Sequence, residues 1–521
     1  MKELLILLVL SVSVIAGCGA VATDRVESVK RIGAAQLGTP AAHPSLLRVS
    51  TINPRYFTDD SGRAIYLTGS HTWAGLIDRG PLDPPAPFDF ERYLNLLQDS
   101  NHNFIRLWSR HVTRYHSYGS DRLYGAPLPW VRSGPGTALD GKPRFDLRQF
   151  DETYFSRLHD RVLAARERRI YVSIMLFGGY VEISEWAGNP FNRENNINGI
   201  DGDLNGDGKG DSQIIPLPDG VDVIQKAYVR KVIDTVGEFD NVLIEISNES
   251  ESSSVGWQSQ LIDYVKDYQS GRIDGIVRKQ HPVGMTAFRN TDNDGLIRAS
   301  ADWISPGAIV SDDAVGEAYI SNPPPADGQR VSILDSDHLF FTLIINNPAA
   351  ARTWVWKSFL RGHNPILMEN IFQDSTGRAV PATTGDSGFM AARAAMGQTR
   401  RYADKMSLIT MIPRPDLAST RYALARTGSE YLVYQPQPQP FTVNLIQGTY
   451  SYEWFNAVSG AVVTAGEVTV NDGESSFTAP FAGDAVLYLK SHQLPLSSSL
   501  EDLSPDAAGT RVLDAFIALN R

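Results

Sequence analysis

The sequence predicts an α/β fold, a (β/α)8 TIM barrel followed by a small all-β sandwich, on three observations. Short apolar runs of strand length alternate with stretches of helical periodicity until about residue 369. Several of these runs stop abruptly at acidic or polar residues, as strands do when they carry chemistry to the carboxyl-terminal face of a barrel. From about Arg414 the helical period vanishes, and alternating segments separated by Pro- and Gly-containing turns replace it.

Each element follows in order. Asn53 to Tyr66 reads as a hairpin turning at Asp60-Ser61-Gly62, leading into a first strand, Ile65 to Ser70, that ends in His71-Thr72-Trp73. Phe90, Tyr93, Leu94 and Leu97 are spaced for a helix within Asp89 to Asn101, and Phe104 to Trp108 is a second strand containing Arg106. The amphipathic Phe155 to Arg169 is basic at its end, as a helix terminus prefers, and Ile170 to Phe177 is the third strand. After a long loop, a helix over Val223 to Phe239 leads into the fourth strand, which runs V-L-I-E-I-S-N-E from Val242 to Glu249. Alternation sends Ile244 and Ile246 to one face and Glu245, Ser247 and Glu249 to the other, which suits a barrel interior better than a sandwich.

Trp257 to Gln280 is helical in pattern and precedes a fifth strand, Pro282 to Ala287. Asp302 to Pro306 is a short sixth and Val331 to Asp335 a seventh. Pro365 to Glu369 is the eighth, with Ala349 to Leu360 as the intervening helix. If the short sixth run lies outside the barrel, Leu408 to Ile412 becomes the eighth strand and Glu369 closes the seventh. The expected divisions are a barrel over 51–412, a sandwich over 413–490 and a tail over 491–521. Sandwich strands are expected at Tyr431 to Tyr434, Phe441 to Leu445, Tyr450 to Phe455, Val462 to Val470 and Ala485 to Leu489.

A chain of 521 residues exceeds one ordinary core, so two folded domains plus extensions are expected. A formal net charge of -11 leaves no basic surface for phosphates, which argues against a nucleic-acid partner; no protein partner is inferred either. There is no H-E-x-x-H helix, G-x-S-x-G elbow or phosphate-cradling glycine loop, so metalloprotease, esterase and nucleotide chemistry are poor readings.

Met1 to Cys18 opens with Lys2, runs apolar from Leu4 to Ile15 and ends Ala16-Gly17-Cys18. It resembles a bacterial lipoprotein signal with its lipobox, too short in its apolar run to span a bilayer. Cys18 is the one cysteine in the sequence, so no intrachain disulfide can form, and its expected role is to carry lipid. An ordinary secretory signal is the alternative. Either reading places the protein outside the cytoplasm, the first on a membrane, with 19–50 as a tether.

The candidate chemistry is carboxylic. Glu249 follows the fourth strand, Asp335 and Asp337 end the seventh (L-D-S-D-H), and Glu369 ends the eighth (P-I-L-M-E-N). His71, Trp73, Arg106 and His338 lie on the same inferred face. Tyr56 to Trp73, Ile244 to Glu249, Leu334 to His338 and Phe359 to Asn370 together resemble cellulase-like glycoside hydrolases of the large retaining (β/α)8 clan. More narrowly, they resemble a branch whose barrel is followed by a sandwich labelled a collagen-binding domain of a collagenase. The resemblance covers roughly Pro54 to Lys490. It implies a carbohydrate substrate, Glu249 as acid/base beside Asn248, and an acid ending the seventh strand as nucleophile. That acid is usually Glu in the clan; here strand count favours Asp337, with Glu369 close behind. Trp73 would stack on a sugar, and Arg106, Asn248, His71 and His338 would line the substrate site.

No cofactor is expected for catalysis. Asp203, Asn205, Asp207 and Asp211 fit positions 1, 3, 5 and 9 of a calcium loop and resemble the dockerin type, although Ile214 replaces the acid at position 12. The expected role of calcium is structural. The function expected is an exported glycoside hydrolase; the alternative is a non-catalytic cell-surface lipoprotein that binds carbohydrate or matrix.

Overall fold

The computed structural model describes residues 44–493 apart from 117–121, 180–182, 209, 211–212, 251, 288–292, 308–318, 340–345 and 370–386. The leader with Cys18, residues 19–43 of the expected tether, and Asp211 lie outside the described residues, whereas the last part of that stretch is folded rather than a tether: Leu47 is buried in the interior cluster and Arg48–Val49 pairs with Phe57–Thr58.

Eight parallel strands form the barrel sheet: β1 (Gly69–His71), β2 (Phe104–Leu107), β3 (Tyr171–Gly178), β4 (Val242–Asn248), β5 (Val283–Thr286), β6 (Trp303–Ser305), β7 (Val331–Asp335) and β8 (Asn364–Met368). Their order is β1-β8-β7-β6-β5-β4-β3-β2. The remaining seam is drawn together where Asn103 N–H donates to the Thr68 carbonyl (3.0 Å) and Asn103 Oδ1 accepts from Thr68 N–H (3.0 Å). The short sixth run is thus a barrel strand, paired with both neighbours. Leu408 to Ile412 instead forms a 3-10 turn and the start of a later sheet. Glu369 consequently follows the eighth strand.

The strand alternation divides the barrel as the sequence implies. Val242, Ile244 and Ile246 join the apolar layer beneath the helices, whereas Leu243 belongs to an interior cluster with Phe104, Tyr171, Trp303, Val331, Ile333 and Ile366. Above that apolar base the same inward positions become Arg106, Ser173, Glu245 and Asp335, all buried. An inward lining that is greasy below and charged above confines chemistry to one end. The base is covered by the N-terminal hairpin, whose Phe57 and Ile65 enter the interior cluster. Here the expectation of a first strand from Ile65 is corrected: Ala64–Ile65 pairs with Phe57–Thr58, and the barrel strand starts at Gly69.

Helices α1 (Phe90–Asp99), α2 (Glu152–Glu167), α3 (Val221–Val236), α4 (Val255–Gln269), α5 (Asn293–Arg298), α6 (Pro348–Leu360) and α7 (Ser387–Lys405) accompany the strands. Asp89 caps α1 by accepting from Arg92 N–H (3.1 Å), and Phe90, Tyr93, Leu94 and Leu97 are its buried face. Helix α4 ends at Gln269, eleven residues before the expected Gln280, because Gly271 turns into the left-handed region (φ 81°) and Arg272 and Gly275 fold back on the helix end. Between β2 and β3, residues 114–116, 122–126, 130–137 and 143–150 lie in small antiparallel sheets that their weak alternation does not announce.

The C-terminal region is all antiparallel: β9 (Ile412–Pro413), β10 (Ala423–Arg426), β11 (Glu430–Gln435), β12 (Phe441–Leu445), β13 (Gly448–Asn456), β14 (Ala461–Val470), β15 (Gly473–Phe477) and β16 (Ala485–Ser491). A six-stranded sheet, ordered β9-β10-β11-β16-β13-β14, accompanies the β12-β15 pair. One face of the larger sheet supplies Leu432, Tyr434, Phe455 and Val486 to the same apolar cluster as Trp354 and Trp356 of α6 and Tyr402 of α7. Arg352 seals that junction with a bidentate ion pair to Asp484 (2.7 and 2.8 Å).

Candidate active site

The polar end of the barrel is built around Arg106. From β2 its guanidinium donates to both carboxylate oxygens of Glu245 (Nε to Oε2, 2.9 Å), to Asp335 Oδ2 (2.5 Å) and to Asn248 Oδ1 (2.6 Å). Burial works against its charge, but Glu245 and Asp335 more than offset that and hold it protonated. Burial likewise opposes the charge on Asp335, yet the His71 hydrogen bond and the Arg106 cation keep its carboxyl below the usual carboxylate range. These groups are 3% exposed or less, so the cluster is a fixed electrostatic floor.

Asn248 ends β4, and the next residue, Glu249, adopts φ 49°. A glutamate in the left-handed region is strained by about 1–3 kcal/mol, a departure that concentrates at functional sites. The turn fits because Gly179 lies beneath it. Gly179 N–H donates to the Asn248 carbonyl (2.6 Å), and a Cβ on Gly179 would come within 2.2 Å of both that oxygen and Ser250 Oγ. Glu249 is thereby held beside the β7 acids.

Asp337 occupies the 3-10 turn Ser336–His338 that follows β7, capped by Asp335, whose Oδ1 accepts from Asp337 N–H (2.9 Å). One Asp337 carboxylate oxygen is buried and has no hydrogen-bond partner among the described residues. Burial and the negative charge of Asp335 push the Asp337 carboxyl up to about 6, while the Asn248 amide pulls the other way. Glu249 is raised well above the ordinary glutamate value, first by burial and then by Asp337, with Arg110 opposing. Two raised carboxyls in different settings, one of them pushed up by the other, are suited to divide acid and base roles.

The other expected residues take definite places. Glu369 is 3% exposed and lies in a bidentate pair with Arg393 of α7 (3.0 and 2.5 Å). His71 is buried against Asp335 and Trp108, and His338 between Ser305 (2.9 Å) and Asn248 (3.0 Å); burial pushes His338 down to about 3, so it is neutral. Trp73 is half-buried, edge-on to Trp108, with one face covered by the Arg79 guanidinium at 4.5 Å. Sequence reasoning passed over Glu245, Asp335 as a support, and Trp108. Period-2 alternation puts Glu245 on the polar side of β4, but nothing local tells that its partner is Arg106.

In the acidic loop, Asp203 accepts Gly206 N–H and Gly208 N–H on its two oxygens (both 2.9 Å), and Asn205 Oδ1 accepts Asp207 N–H (2.8 Å). Gly208 is left-handed (φ 82°), as the sixth position of the expected loop requires. Among the described residues no three His, Cys, Asp or Glu side chains gather as a metal-binding group.

A parallel eight-stranded barrel with helices, trailed by antiparallel sheets, is a (β/α)8 fold of the kind that solved glycoside hydrolases adopt. Two solved structures share it across most of their length. One is described as a glycoside hydrolase (TM-score 0.55, 13% identity, covering 88% of this chain and 98% of that one). The second is a glycoside hydrolase family 5 protein from Bacteroides vulgatus (TM-score 0.56, 13% identity, covering 86% and 93%). At that identity the likeness is one of fold. No family model matches the sequence, and no curated protein does.

Proposed function

We propose that the protein is a retaining glycoside hydrolase acting on a poly- or oligosaccharide. The observation that carries the reading is that Glu249, in its left-handed turn after β4, and Asp337, in the turn after β7, stand at the same end of the barrel with their carboxyls both raised, Glu249 in part by Asp337. Glu249 donates its proton to the glycosidic oxygen as the bond to the anomeric carbon breaks, and the Asp337 carboxylate attacks that carbon to form a glycosyl ester. Water then attacks the ester, Glu249 now takes the water's proton, and the anomeric configuration is retained. Arg106 and Asn248 orient the nucleophile and sugar, and Trp73 walls the entrance. The leader motif makes this an exported enzyme anchored through Cys18. Asp203, Asn205, Asp207 and Asp211 would hold a structural calcium.

The test is hydrolysis of a polysaccharide and aryl-glycoside panel by protein lacking residues 1–18, with Glu249→Gln alongside. Activity lost in the variant is expected. Unchanged activity removes Glu249 from the mechanism, and silence across the panel rejects the enzyme reading in favour of a carbohydrate-binding surface protein.

A further inference from the structure

Trp108 follows β2 and is 4% exposed, with its indole Nε1 3.1 Å from His71 Nδ1. The two rings are nearly parallel, 16° apart. An indole N–H can only donate, so His71 Nδ1 must present a lone pair, and the ring's one proton then stands on Nε2. Nε2 faces Asp335, 3.0 Å from Oδ1 and 2.9 Å from Oδ2. Asp335 in turn accepts from Arg106 and from the backbone N–H of Asp337, whose turn it caps.

We propose that Trp108 is a positioning residue: by fixing His71 in the Nε2–H tautomer, it completes the set of donors through which Asp335 holds the Asp337 turn. The chain of contacts runs from β2 through β1 to β7, three strands that share no side-chain contact visible in the sequence. A doubly protonated His71 would have to give up the Trp108 bond and would add a second cation beside Arg106. The charged and titratable groups facing His71 are Asp335 from β7, Asp337 and His338 from the turn after it, and Arg106 from β2. From β8, Glu369 presents its backbone N–H to the His71 carbonyl (3.0 Å). With one ring proton, Arg106 is the only permanent cation in this set, shared by Glu245 and Asp335.

The kinetic part of this inference rests on Asp337 being the nucleophile; the tautomer does not. Two-bond proton–nitrogen spectra of 15N-histidine-labelled protein, with His71→Gln to assign the ring, read the tautomer directly. The expected wild-type result is an unprotonated Nδ1 and a protonated Nε2 between about pH 6 and 8. In Trp108→Phe, which keeps a ring and loses the donor, the His71 signals should shift toward a tautomer mixture or a second proton. On any substrate the wild type turns over, that variant should lose roughly tenfold in kcat with KM little changed. A wild-type His71 protonated on Nδ1 or on both nitrogens overturns the proposal, as does a Trp108→Phe spectrum identical to wild type. If no substrate is turned over, the glycosidase reading fails and the spectra alone decide the positioning role.

Discussion

His338 Nε2 lies 3.0 Å from Asn248 Oδ1, the same oxygen that accepts from Arg106 at 2.6 Å. Two donors on one amide oxygen settle which way the amide points, so Nδ2 is the side left to face Asp337. Asn248→Asp keeps the acceptor, removes that donor and adds a negative charge. The expected result is an acid limb of kcat/KM moved to higher pH and a loss on the order of a hundredfold at neutral pH; a pH–rate profile unchanged from wild type would refute the role given to the amide.

The pH dependence of the wild type follows from the same pair. Activity should rise as Asp337 ionises near pH 6 and fall at higher pH as Glu249 loses its proton. Stability runs the other way. Both carboxyls bind protons more tightly folded than unfolded, so their contribution is complete below the ordinary carboxylate range and is lost as pH rises through their folded values. Chemical denaturation of Asp337→Asn against wild type from pH 4 to about 7 checks the sign: the wild type should lose stability relative to the variant as pH rises.

Asp337 and Glu369 should separate cleanly on substitution. Asp337→Asn is expected to cost about a thousandfold or more in kcat while leaving the melting temperature unchanged or raised. Glu369→Gln leaves Arg393 in a largely buried site without its carboxylate and should cost about 3 kcal/mol of stability, with a comparatively small change in kcat. The opposite pattern, rate loss at Glu369 and instability at Asp337, would exchange their roles.

How far the sequence revealed the site depended on what each residue announces locally. Buried parallel strands are apolar runs, so all eight were visible, including the three-residue β6, and the acids after β4 and β7 could be read from where those runs stop. That Glu369 pairs with an arginine could not, because Arg393 stands on α7 and only packing brings the two together. Trp108 was equally opaque: it completes an apolar run, and only its spatial approach to His71 gives it a role. The start of β1 was misplaced because Ile65 is as apolar in a hairpin as in a barrel.

Gly179→Ala tests the close approach of β3 to the Glu249 turn. The added methyl must displace the Asn248 carbonyl or Ser250, costing about 2 kcal/mol and moving Glu249. Lower activity together with a lower unfolding midpoint is the expected readout. A fully active, equally stable variant would show that the turn yields without cost.

Calcium is expected to raise the melting temperature by several degrees and a chelator to lower it, with Asp203→Ala abolishing the difference. The loop presses on the site's periphery: a Cβ on Gly210 would meet the Trp186 ring at 2.5 Å, and the adjacent Glu185 holds Arg110 at 2.7 Å. An identical melting curve with calcium and with chelator would exclude the structural ion.

The stacking of Trp356 on Tyr434, 5.9 Å apart and 14° from parallel, joins α6 to the C-terminal sheet through side chains that have no water-facing alternative. Removing everything after residue 412 would therefore uncover a band of tryptophan and tyrosine on the barrel rather than release a detachable appendage. The two halves are expected to melt in a single calorimetric peak. Gene fusions that exchange the sheet for an unrelated one would inherit an adhesive barrel, so inheritance of this architecture should favour the pair over either half alone.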